Sequence, residues 1–151
     1  ISFHHNLMAH HAARMPRLGN PLNAEQDPVG ASFEIRSNVF YNWGGHQAGY
    51  DGTADGRMTS IFADNSYLRG PDSKGASMFK GASPHARARF TGNSMDGRPF
   101  EDTAERVPFR RDPGERRRDS AASAYQRVLA GAGASLVRDP VDARLVEDAR
   151  Q

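Results

Sequence analysis

FEIRSNVFYNW, from Phe33 to Trp43, holds the arrangement that decides the fold. A strand-like run meets Asn38 and continues through Val39, Phe40 and Tyr41. The same arrangement recurs in ISFHHNLMA (Ile1 to Ala9), TSIFADNSYL (Thr59 to Leu68) and RARFTGNSMDG (Arg87 to Gly97). The asparagines Asn6, Asn38, Asn65 and Asn93 are separated by 32, 27 and 28 residues. A repeat of this size, one short strand plus Gly-rich and polar loops, reads as a solenoid. An antiparallel sandwich also has many short strands, yet its strands need only alternation. A polar residue at one fixed place in each unit favours stacked coils. Asparagines so placed bond amide to amide in a ladder. The sequence therefore predicts an all-β parallel β-helix, a partial solenoid over residues 1–97.

The pattern changes after Gly97. Residues 98–118 are charged and proline-containing, and read as an irregular surface loop. Within them RRDPGERRR, Arg110 to Arg118, holds five arginines and no apolar side chain, the mark of a solvated segment. Residues 119–151 read as a helical tail packed on the solenoid. Asp119 or Ser120 caps a first helix whose apolar stripe is Ala121, Tyr125, Val128, Leu129 and Ala132. Gly131 and Gly133 mark its end. A second helix has Asp139 as N-cap and Pro140 at its first position, with Val141, Leu145 and Val146 as buried candidates. Two such helices can cover an open solenoid edge.

Composition narrows the class. The chain has 151 residues, enough for one domain with a core. Mean hydropathy is -0.72, and 15 Gly with 9 Pro point to many turns. A net charge of +2 is too small to argue for nucleic acid, and the arginine run lacks interleaved aromatics. No cysteine is present, so disulfides and thiolate metal sites are excluded. No apolar run is long enough to span a bilayer. The chain opens inside a strand-like pattern without an initiator Met, which points to a piece of something longer.

Arg14-Met15-Pro16-Arg17 carries the chemistry. Proline fixes its own φ and biases the residue before it, so the segment is a stiff presenter of two guanidiniums. Guanidinium meets carboxylate in a bidentate fork, and the pair suits a carboxylate-rich ligand. The histidine pairs His4-His5 and His10-His11 invite a metal reading. Neighbours on a strand point to opposite faces, however, so His4 and His5 do not chelate one ion together. One histidine of each pair is expected in the stack with its ring hydrogen-bonded, the other toward cleft or solvent. Trp43 is expected to pack at a coil corner beside Gly44 and Gly45 rather than to stack on a sugar. Lys74 and Lys80 read as solvated surface.

The opening segment, with its HHN and Arg-Met-Pro-Arg, resembles the core signature of the pectate lyases of polysaccharide lyase family one. SNVFYNWGG, GYDG and ADNSYLRGP resemble the next two coils of bacterial members, and AYQRVLAGAGASLVRDPVDARLVEDAR resembles their tail. The resemblance implies a right-handed parallel β-helix and calcium-dependent cleavage of polygalacturonate (pectin) by β-elimination. It implies that Arg14 is the base and Arg17 a substrate-carboxylate binder. Some members carry a further Arg where this chain has Gly19. The resemblance also implies that the calcium ligands lie upstream of residue 1; Asp51, Asp55 and Asp64 match no ligand pattern. A fragment lacking them is expected to be inactive alone. The resemblance further implies a secreted monomer with no nucleic-acid or membrane partner. Two rivals stand beside it: a β-helix module that binds acidic polysaccharide without cleaving it, and a calcium-independent pectin lyase, which calls for an aromatic-rich cleft.

Overall fold

The computed structural model describes residues 1–100 and 119–150. Strands come in sets of three. The first coil holds β1 (Ser2–His4), β2 (Leu7–Ala9) and β3 (Arg17–Leu18). The second holds β4 (Ala31–Arg36), β5 (Val39–Tyr41) and β6 (Gln47–Asp51), and the third β7 (Met58–Ala63), β8 (Ser66–Leu68) and β9 (Ser77–Lys80). A partial fourth adds β10 (Ala86–Thr91), β11 (Ser94–Met95) and β12 (Arg98–Pro99). Two helices follow, α1 (Ala121–Gly131) and α2 (Pro140–Asp148).

Equivalent strands stack into three sheets, β1-β4-β7-β10, β2-β5-β8-β11-β12 and β3-β6-β9. Every pairing is parallel except β11 with β12. The chain is therefore a parallel β-helix, as the asparagine spacing predicts. Ser2 pairs with Glu34, Glu34 with Ile61 and Ile61 with Arg89, the same offsets as the asparagines.

The ladder forms at the corner between the first and second sheets. The backbone N–H and the side-chain amide of Asn6 both donate to Asn38 Oδ1, at 3.0 Å each. Asn38 donates in the same way to Asn65, and Asn65 to Asn93. Each side-chain amide also donates to a carbonyl of the preceding strand segment: Asn65 to Ile35 O and Asn93 to Phe62 O, both at 2.9 Å. The residue before each asparagine turns the corner in left-handed geometry: His5 (φ 57°), Ser37 (φ 54°), Asp64 (φ 55°) and Gly92 (φ 65°). Backbone bonding continues through the bend. Ser37 N–H donates to Ala63 O, and Val39 N–H to Asn6 O.

Inside the coils, register stacks like on like. Met8, Phe40, Tyr67 and Met95 form one column, and Ile35, Phe62 and Phe90 another, in register with the exposed Phe3 of the first coil. The Phe40 and Tyr67 rings lie 4.7 Å apart and nearly parallel, as do Phe62 and Phe90 at 5.0 Å. Burying each large side chain stabilises by about 1.5–3 kcal/mol.

Several outward residues of the second sheet are apolar too, and the helices cover them. Val39, Tyr41 and Leu68 pack against Val128, Leu129, Val146 and Ala149. The helices thus cover a sheet face rather than an open coil edge, because alternation along β5 sends Phe40 inward and its neighbours outward. Ser120 caps α1 by accepting from Ser123 N–H, and Asp139 caps α2 by accepting from Asp142 N–H. Val141, expected to be buried, is exposed; Val146 and Ala149 make the contact instead. Among the described residues no helix is long and apolar enough to cross a membrane.

The expected loop from residue 98 begins as a strand. Asp96 (φ 49°) and Gly97 (φ 74°) form a two-residue hairpin turn, and Met95 pairs with Arg98 across it. Asp-Gly is the signature of that turn, since both central residues need positive φ. Residues 101–118, including the arginine run, lie outside the described residues.

Candidate functional site

The Arg-Met-Pro-Arg segment alternates between solvent and core. Arg14 and Arg17 are exposed, whereas Met15 and Leu18 are buried in the main apolar cluster. The apolar members anchor the cationic ones. Arg14 adopts left-handed geometry (φ 71°), and the Met15–Pro16 bond is cis. Left-handed geometry at a long side chain costs of order 1–3 kcal/mol and persists only where the surroundings enforce it. Here the next coil enforces it. Met15 N–H donates to Ala48 O at 2.9 Å, Tyr50 N–H to Pro16 O at 3.0 Å and Gly52 N–H to Leu18 O at 2.7 Å.

Two glycines make the close approach possible. A Cβ on Gly49 falls 2.6 Å from Pro16 O, and one on Gly52 collides with the Arg17 guanidinium. Between them stands Tyr50. Arg14 Nε donates to Tyr50 Oη at 3.1 Å. Arg17 lies with its guanidinium carbon 6.0 Å from the centre of the Tyr50 ring, and its Nη2 donates to Gly52 O at 3.3 Å. Both guanidiniums named by the sequence are thus brought together on one tyrosine. Among the described residues neither meets a carboxylate. Lys80 stands one rung further along, at the register position of Tyr50, which is itself opposite Arg17.

Sequence reasoning missed Tyr50. The available signal is Gly49-Tyr50-Asp51-Gly52, an aromatic bracketed by glycines, which marks close backbone approach within a strand. Asp51 is structural: buried, it accepts from Thr53 N–H at 2.9 Å and Ser83 N–H at 3.1 Å. Asp55 pairs with His85 at 3.2 Å. Among the described residues no group of three or more His, Asp or Glu converges to hold a metal ion.

The histidines depart from expectation. None lies in the interior. His4 and His5 do not point to opposite faces, since His5 sits in the left-handed corner and its Nδ1 comes 3.1 Å from His4 Nδ1. His5 Nε2 lies 3.0 Å from Asp119 Oδ2, just before α1, and His10 Nε2 lies 3.2 Å from Asp148 Oδ2 at the end of α2. These two histidines pin the helical tail. Trp43 is fully buried, edge-on to Tyr67 at 6.3 Å, and takes no part in a sugar-binding surface. Lys74 and Lys80 are exposed.

No protein-family profile matches the chain, and no curated protein matches it in sequence.

Proposed function

We propose that the face around Arg14 and Arg17 takes an acidic polysaccharide of the polygalacturonate class, and that the protein is a pectate lyase acting by β-elimination. One observation carries the reading: two exposed guanidiniums bracket Tyr50, and among the described residues neither has a carboxylate partner. Like charges held this close repel, and an anionic ligand relieves that repulsion. A uronate carboxylate meets Arg17 in a bidentate fork. Neutralising it acidifies the C5 proton and stabilises the enolate-like transition state. Arg14 then accepts that proton. The C5–H electron pair forms the C4–C5 double bond, the C4–O bond breaks, and the departing oxygen takes a proton from water. Arg14 serves as base only in its neutral form, the form in which a guanidine nitrogen has a lone pair to give.

Calcium is the cofactor this reading implies, and the described residues do not fit it. No acidic cluster converges, and both Asp51 oxygens are taken by backbone amides. The same observation favours the second reading, a secreted module that binds acidic polysaccharide without cleaving it.

The test follows the ultraviolet absorbance of the unsaturated product, with the full-length protein, polygalacturonate and calcium. A signal lost with chelator and in Arg14→Lys supports the lyase. Binding without a signal supports the module, and neither binding nor signal overturns both.

A further inference from the structure

Tyr50 touches both arginines with different parts of its side chain. Its hydroxyl accepts from Arg14 Nε at 3.1 Å, and its ring lies beside the Arg17 guanidinium at 6.0 Å. The backbone of Tyr50 is fixed. Its N–H donates to Pro16 O, within the motif it serves, and its strand is paired on both sides. We propose that Tyr50 is the positioning residue of the acidic-ligand site: it sets the distance and the facing of the two guanidiniums. This rests on the reading that Arg14 and Arg17 meet an acidic sugar.

The physical argument has two parts. A guanidinium has five N–H donors in a fixed plane. With Nε–H committed to the phenol, the plane of Arg14 is set and its terminal nitrogens are the atoms turned to ligand. The ring supplies an electron-rich surface between two cations that repel each other in its absence. Neither task needs Tyr50 to touch the ligand. Both arginines are long chains on the surface, so the entropy of ordering them otherwise falls on binding. A tyrosine that orders them beforehand raises affinity without adding charge.

The variants Tyr50→Phe and Tyr50→Ala separate the parts. Phe keeps the ring and loses the hydroxyl; trigalacturonate affinity is expected to fall by about 5-fold. Ala loses both, with an expected fall of about 30-fold or more. Thermal midpoint and the salt dependence of binding stay unchanged in Tyr50→Phe, since no core contact or charge is removed. A direct readout is independent of ligand: the Arg14 Nε–H resonance, slowed in exchange in the wild type, exchanges freely in Tyr50→Phe. If the wild type binds trigalacturonate and Tyr50→Phe binds it equally well, the positioning role is overturned while the acidic-ligand site stands. If the wild type binds none, the site reading falls and the proposal with it.

Discussion

Asn38 donates two hydrogen bonds to the single side-chain oxygen of Asn65, one from its backbone N–H and one from its side-chain amide, each 3.0 Å long. One oxygen therefore satisfies two donors in the coil beside it, and the arrangement repeats at each step of the ladder.

The ladder predicts a gradient of cost. Asn65 is fully buried, and Asn65→Ala strips the acceptor from the buried Asn38 N–H. Its expected loss is about 3 kcal/mol. Asn6 is exposed and gives its bonds from the end of the row, so Asn6→Ala is expected to lose less than about 1 kcal/mol. Urea unfolding of both variants checks this. Equal losses count against the ladder as a source of stability.

The corner residue before each asparagine is the second target. Gly92 (φ 65°) has the Asp64 carboxylate where a Cβ would stand. Gly92→Val adds both a clash and left-handed strain at a β-branched residue, with an expected cost of at least about 2 kcal/mol. A thermal midpoint unchanged by this substitution is the contrary result.

Ser60 offers a gain. It is fully buried, and its Oγ has no hydrogen-bond partner among the described residues. Its register neighbours are Phe33 and Ala88. Ser60→Ala removes an unsatisfied hydroxyl and is expected to raise stability by about 1 kcal/mol. Calorimetry that records a lower midpoint refutes it.

Asp27 supplies a pH dependence. It accepts from Gly30 N–H and Asn20 Nδ2, both at 2.9 Å, and these bonds hold its carboxyl below the usual value of 3.8. A lowered folded-state value means the stabilisation is present above about pH 4 and is lost as pH falls through the folded-state value. Carbon-detected NMR titration is expected to give Asp27 a midpoint below 3.8. In Asp27→Asn the acid limb of the stability curve becomes shallower.

The coils were legible because Asn38 and its three counterparts sit at one corner, and a corner fixes the register of both sheets that meet there. The third sheet was not. Its strands are reached through loops of unequal length, so nothing in the spacing sets Tyr50 beside Arg14. Strand alternation misled at His4 and His5 because the corner residue obeys turn geometry instead. Asp96-Gly97 is itself a hairpin signal, whereas the charged run beyond it has the composition of a loop. Arg14 and Arg17 stand out in the sequence as two cations around a proline, and the place of Tyr50 between them is visible only with the fold.

The strand that folds back beside β11 has a consequence for growth. A column of identical rungs is a linear polymer in miniature, and each parallel end is a template for another copy. Arg98 and Pro99 run the opposite way, and Pro99 has no N–H to offer. An incoming parallel coil cannot continue the second sheet past them. The pair acts as a chain terminator for the second sheet, closing that edge to a further parallel rung.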